Sequence, residues 1–135
     1  MQSPQVFVIV PFDAEGRRVQ DTVQRAVEEA GFRVVQHRDT IHPGAELTSN
    51  TLDNIRLADL IIADVSRQNP NVLYEVGFAH ALRKPTILLF NITSNYSLPS
   101  DLAGLQYIAY DLVNLRGLAD RVKSETKALT MQRSA

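Results

Sequence analysis

A single α/β domain on a five-stranded parallel sheet, doubly wound in the order 2-1-3-4-5, is the fold that the sequence predicts. Two observations carry that prediction. Apolar strand-like runs alternate with segments of helical periodicity along the 135 residues, the pattern of βα units laid on a parallel sheet. The strand-like runs are also continuously apolar, as expected where helices cover both faces of a sheet.

Taken in order, Val6-Phe-Val-Ile-Val10 is a β-branched run that reads as the first strand. Val19, Val23, Ala26, Val27 and Ala30 then recur at helical spacing, and Gly31 is a stop signal. Phe32 to Gln36 is a second, weaker strand. A loop containing His42-Pro-Gly44 leads into a helix over Ala45 to Leu57. Leu60 to Val65 is the third strand, followed by a helix that Pro70 opens and Lys84-Pro85 closes. That helix is apolar almost all the way round, so it is expected to be buried. Thr86 to Phe90 is the fourth strand, and Asn91 to Gly104 is a long loop with room for a short helical turn. Gln106 to Tyr110 is the fifth strand, and a last helix runs from Asn114 to Leu129. There is neither an internal repeat nor a low-complexity linker. Five strands in so short a chain make the flavodoxin-like strand order the natural choice.

Bulk properties exclude several function classes. A net charge of −1 offers no electrostatic reason to expect a nucleic acid polymer or an anionic membrane as partner. The absence of cysteine rules out disulfides, a thiol nucleophile and thiolate metal sites. No apolar run approaches the ~20 residues of a membrane helix. Met1-Gln-Ser-Pro-Gln5 runs into a strand without a signal-peptide pattern, so a cytoplasmic location is expected. His37, His42 and His80 lack metal-ligand spacing, and neither a metal nor a cofactor is expected. Dinucleotide, P-loop and nucleophile-elbow motifs are all absent. The receiver-domain reading fails as well, because no acidic pair follows the first strand and no lysine follows the fifth.

Ligands of open parallel sheets bind outside the carboxyl ends of the strands, near the switch in strand order. Here those ends supply Pro11 to Arg18, His37 to Glu46 (with Asp39), Asp64 to Asn71 and Asn91 to Asp101. Glu75 is the main candidate: an acid on an apolar helix, sharing a face with Val72, Ala79 and Leu82. A buried carboxylate has a raised pKa and suits a general acid or a nucleophile; alternatively it holds a neighbouring loop closed. Asp64, at the end of the third strand, orients a ribose hydroxyl or shares a proton with Glu75, or belongs to the capping group with Ser66, Asn69 and Asn71. Gly77 lets a ligand or a strand approach closely, or simply packs. Phe12 stacks on a base or plugs the edge of the core, and His80 packs. Arg17 and Arg18, with the amides of their helix N-terminus, offer a phosphate site or a solvated face.

These residues together resemble the nucleoside 2-deoxyribosyltransferase-like group, and within it the bacterial TIR-like, nucleotide-binding branch. The matching pieces are Val8-Ile-Val-Pro-Phe12, Ala58-Asp-Leu-Ile-Ile-Ala-Asp64, Asn69-Pro-Asn-Val-Leu-Tyr-Glu-Val-Gly77, Ala79-His-Ala-Leu82, Lys84-Pro85 and Pro99-Ser-Asp-Leu102. These pieces span about residues 6 to 110; one such domain is expected over residues 1–135, and the resemblance implies a flavodoxin-like fold. It implies an N-glycosidic-bond hydrolase or transferase acting on a nucleoside, nucleotide or NAD, with Glu75 as nucleophile and Asp64 in the sugar pocket. The alternative that it implies is a non-catalytic nucleotide-sensing or interaction module. Pro11, Phe12, Arg17, Asp39, Ser66, Asn69, Asn71, Gly77 and Asp101 are the expected substrate-binding residues, and a homodimer is the expected assembly. Pro11-Phe-Asp-Ala-Glu-Gly16 departs from the Gly- and Ser-rich phosphate loop of related nucleotide hydrolases.

Overall fold

The structure, a computed structural model, describes residues 3–35, 46–98, 102 and 104–134. Strands β1 (Gln5–Ile9), β2 (Arg33–Val35), β3 (Leu60–Asp64), β4 (Thr86–Asn91) and β5 (Tyr107–Tyr110) form one sheet in the order β2-β1-β3-β4-β5. Every neighbouring pair is parallel, with Val8 opposite Ile62, Ile62 opposite Ile87 and Leu89 opposite Ile108. The helices are α1 (Ala14–Glu29), α2 (Glu46–Leu57), α3 (Pro70–Ala81) and α4 (Leu115–Ser134), the last preceded by a 3-10 turn over Leu112–Asn114. Asn91 extends β4 beyond the expected Phe90, and β3 ends at Asp64, one residue short of Val65. The long loop after β4 contains Leu102 in a short helical turn.

Side-chain alternation along the strands builds two cores. Val6, Val8, Leu60, Ile62, Ile87, Leu89 and Ile108 face one side, where Val19, Val23, Ala26 and Val27 of α1 and Leu118 and Val122 of α4 cover them. Phe7, Ile9, Ile61, Ala63 and Leu88 face the other, against Ile55 of α2 and Val72, Val76 and Ala79 of α3. β3 is buried at every residue because it is hydrogen-bonded between β1 and β4. β5 is an edge strand whose burial alternates, Ile108 and Tyr110 inward and Tyr107 outward.

The expectation of a fully buried third helix needs correcting. Only Val72, Val76 and Ala79 of α3 are buried. Tyr74 is 59% exposed, Leu82 and His80 are exposed, and so is Gly77, where an added Cβ would meet nothing within 4 Å. The helix lies on the outside of a single sheet face, so one stripe suffices to cover it. Gly77 therefore has no packing role here, and His80 does not pack.

Local signals set the helix ends. Asp13 caps α1, its carboxylate accepting from the Gly16 amide at 2.8 Å, and Gly31 follows the helix at φ +94°. Gly16 is needed for a close approach: a Cβ there would stand 1.9 Å from the Pro11 carbonyl oxygen. Gly16→Ala should therefore cost about 1–3 kcal/mol in denaturant unfolding, the usual effect of forcing extra atoms into a packed site.

Candidate functional site

The crevice outside the carboxyl ends of β1 and β3, where the strand order reverses, holds a cleft of about 200 Å³. Pro11, Phe12 and Asp13 line it from the loop after β1, Gln20 from α1, and Asn69, Asn71, Val72 and Glu75 from the start of α3. Pro70 occupies the first turn of α3, and the Asn69 side chain caps it, accepting from the amides of Asn71 (2.9 Å) and Val72 (3.3 Å). Capping therefore accounts for Asn69 and leaves the Asn71 side chain to the cleft. Phe12 is 71% exposed, so it does not plug the core edge; it forms part of the cleft rim.

Glu75 is partly buried, and burial alone pushes its carboxyl up to about 7. No described neighbour offsets that desolvation with a charge. A carboxyl in this state exchanges its proton near neutral pH and serves as a base, an acid or, once ionised, a nucleophile.

A second cavity, of about 270 Å³, lies at the carboxyl ends of β3, β4 and β5 and receives Asp64 and Ser66. The expected pairing of Asp64 with Glu75 is not found. Asp64 continues the row of Leu60 and Ile62, which face α1 and α4, whereas α3 packs on the opposite face. Asp64 is 5% exposed and already engaged. Its Oδ1 accepts from the Ser66 amide (2.9 Å) and Ser66 Oγ (2.5 Å), and its Oδ2 from the Tyr110 hydroxyl (2.6 Å). Burial first, and then the Asp64 charge, raises the Tyr110 pKa, so this phenol stays protonated and donating. Ser66 Oγ in turn accepts from the Asn91 amide at 2.7 Å. The network joins three strand ends.

Between the two cavities stands an ion pair, Arg67 with Asp13. The hydrogen bond from Arg67 lowers the Asp13 pKa most, burial opposes this, and the Gly16 amide lowers it further. Gln68 adopts φ +51°, a left-handed backbone that few non-glycine residues hold without support; its side chain donates to the Ser97 carbonyl at 2.7 Å. At the α1 N-terminus the Asp13 carboxylate already takes the Gly16 amide and is itself paired with Arg67. Arg17 lines neither cavity, and Arg18 donates to the Leu112 carbonyl at 3.2 Å.

Of the expected site residues, Pro11, Phe12, Asn69, Asn71 and Glu75 come together, and Asp64 and Ser66 gather elsewhere. Gly77 and Arg17 join neither group, and Asp39 and Asp101 lie outside the described residues. Asp13, Gln20, Arg67 and Tyr110 were not anticipated. Asp13 carried a usable signal, standing three residues before the Gly16 amide it caps, and Arg67 lay in a strand-end segment already expected at the site; Gln20 and Tyr110 carried none. Among the described residues, no group of three or more His, Asp or Glu is placed to hold a metal. None of the described helices is long and apolar enough to cross a membrane.

The family model described as CAP12/Pycsar effector protein, TIR domain, matches residues 5–112. The fold is shared with a CMP N-glycosidase of Clostridium botulinum at 26% identity and a TM-score of 0.61, covering 84% of this chain and 97% of that one. It is shared with a 2-deoxyribosyltransferase of Bacillus psychrosaccharolyticus at 17% identity and 0.65, covering 82% and 95%. The TIR domain of a Toll-related receptor from Hydra magnipapillata is similar at 17% and 0.67, covering 91% and 97%. No curated protein matches the chain.

The Glu75 carboxyl makes a thermodynamic prediction. The folded protein keeps this proton up to about pH 7, while the ordinary value is 4.5. Stability tied to the protonated form is thus complete below pH 4.5 and is lost as pH rises through 7. Urea unfolding at pH 5 and pH 8 should show Glu75→Gln gaining about 1–3 kcal/mol over wild type at the higher pH only.

Proposed function

The chain belongs to the CAP12/Pycsar effector TIR-domain family, and on that premise we propose that it cleaves the N-glycosidic bond of a nucleoside, nucleotide or NAD, with Glu75 as nucleophile. The observation that carries this reading is an acid with no offsetting charge among the described residues, poised near pH 7, in the wall of a cleft at the strand-order switch. The 26% identity to a CMP N-glycosidase supports it.

In this mechanism the ionised Glu75 attacks the anomeric carbon while the bond from that carbon to the base nitrogen breaks. The base leaves with the bonding electrons and takes a proton from water. The carboxylate first balances the positive charge that develops on the sugar, then forms the glycosyl ester. Water or a second base opens that ester, giving hydrolysis or transfer. Phe12 offers its exposed ring to the base, and Asn71 and Gln20 present carboxamides to the sugar hydroxyls or the base edge. Asp13 is held by Arg67 and the Gly16 amide, which leaves Arg67 without a free charge for a substrate phosphate.

A second reading is a non-catalytic TIR-like module that binds a nucleotide to sense it or to assemble. It is favoured by the commitment of Asp13 to Arg67 and the helix cap, which leaves the cleft without a second free acid for the departing base among the described residues. A homodimer that completes the cleft belongs to either reading, and light scattering tests it.

The deciding experiment incubates wild type and Glu75→Gln with NAD and a panel of ribo- and deoxyribonucleosides and their monophosphates, with products separated chromatographically. Base release by wild type is expected, with a loss of at least ~1,000-fold in the variant, as when a covalent nucleophile is removed. Equal activity in the two proteins would remove Glu75 from the reaction. Ligand-dependent melting shifts without any product would establish the binding module instead. For the active enzyme, the rate should rise with pH up to about 7 and level off above it, because only the ionised carboxylate attacks.

A further inference from the structure

The polar cavity on the far side of the Arg67–Asp13 pair plays no part in that mechanism, yet it is built as a site. Asn91 is 8% exposed and lines it. Its Oδ1 accepts from the Thr93 amide (3.0 Å) and the Thr93 hydroxyl (2.8 Å), which settles which end of the carboxamide is oxygen. The Nδ2 group has no acceptor among the described residues. It is also not sealed from solvent, since none of the buried side-chain N or O atoms among the described residues lacks a partner. Asn91 lines the cavity, and this amide is the donor it has left to offer there.

Asp64 offers the complement. Oδ1 receives two donors and Oδ2 one, leaving an acceptor position on Oδ2. The protonated Tyr110 and Ser66 hold the carboxylate in place. A donor and an acceptor in one small cavity match two adjacent hydroxyls of a pentose, one accepting from Asn91 and its neighbour donating to Asp64. Charge argues against an anionic ligand: Arg67 is neutralised by Asp13, and Glu15 and Asp64 both line the wall. Tyr96, half exposed, also lines the cavity, and an aromatic ring there suits stacking on a base. About 270 Å³ is just under the usual size of small-molecule sites, room for a sugar with its base left at the entrance.

We propose that this cavity is a second ligand site, separate from the Glu75 cleft, that takes the vicinal diol of a neutral nucleoside with the base against Tyr96. The site stands independently of the chemistry assigned to Glu75.

The test is an adenosine titration of the isotope-labelled protein, followed by backbone amide shifts. Saturable shifts are expected across Asn91 to Ser97, with their own dissociation constant. Replacing adenosine by 2′,3′-dideoxyadenosine should weaken that constant at least tenfold. Asn91→Asp should do the same, because it keeps the Thr93 bonds while turning the donor into an acceptor. Tyr96→Ala, an exposed substitution that keeps the backbone bond to Ser94, should weaken it several-fold and serves if Asn91→Asp does not fold. Shifts confined to Phe12, Asp13 and Asn69 to Glu75 would overturn the proposal. So would shifts across Asn91 to Ser97 that ignore the missing hydroxyls, or their absence at millimolar adenosine. The titration and its variants are made on the Glu75→Gln background, in which adenosine is not consumed, so base release, or its failure, at Glu75 leaves the result untouched.

Discussion

Burial of β3 along its whole length is the constraint on which the rest of the molecule depends. A strand hydrogen-bonded on both sides and covered on both faces gives its side chains two environments only, and they alternate. Ile61 and Ala63 belong to the core under α2 and α3, and Leu60 and Ile62 to the core under α1 and α4. Asp64 inherits the second direction because it is the next even residue. The carboxylate at the strand end thus opens toward β5 and Tyr110, while Glu75 on α3 reaches the crevice above β1. One strand's parity divides the carboxyl edge into two cavities.

The loops above the sheet are fixed by polar contacts of their own. Arg67 reaches Asp13, Gln68 reaches Ser97 from a left-handed backbone, and Ser94 Oγ donates to the Ser66 carbonyl at 2.5 Å. Consecutive residues of the loop after β3 are thereby tied to the loops after β1 and β4. The ion pair is partly exposed and adds little stability by itself. Its larger effect is to commit Asp13, which occupies the α1 N-terminus that many phosphate-binding folds leave open.

Glu75 works against this economy of satisfied groups. Asp64 is buried and surrounded by donors, whereas Glu75 is desolvated without an offsetting charge, and its raised proton affinity records the difference. A group that weakens the folded state above neutral pH, while facing a cleft, is the usual mark of a site where stability has been given up for reactivity.

Much of this was legible from residue order. Continuous apolar strands, Gly31, Pro70 and Lys84-Pro85 pointed to the fold class and the strand order, and placed most element boundaries to within one residue, because these are short-range steric and burial effects; α4 runs on to Ser134, five residues past the expected Leu129. Asn69-Pro-Asn-x-x-Tyr-Glu led to Glu75, and chain order at the strand ends placed Pro11, Phe12, Asn69 and Asn71 beside it. Tertiary structure alone decided the partnerships. Asp64 parted from Glu75 because sheet parity outweighs nearness in sequence. Arg67 met Asp13 across 54 positions, and Tyr110 met Asp64 across 46. Gln20 joined the cleft from a different helix. Such contacts depend on how the loops cross above the sheet, and no local pattern of residues encodes that crossing.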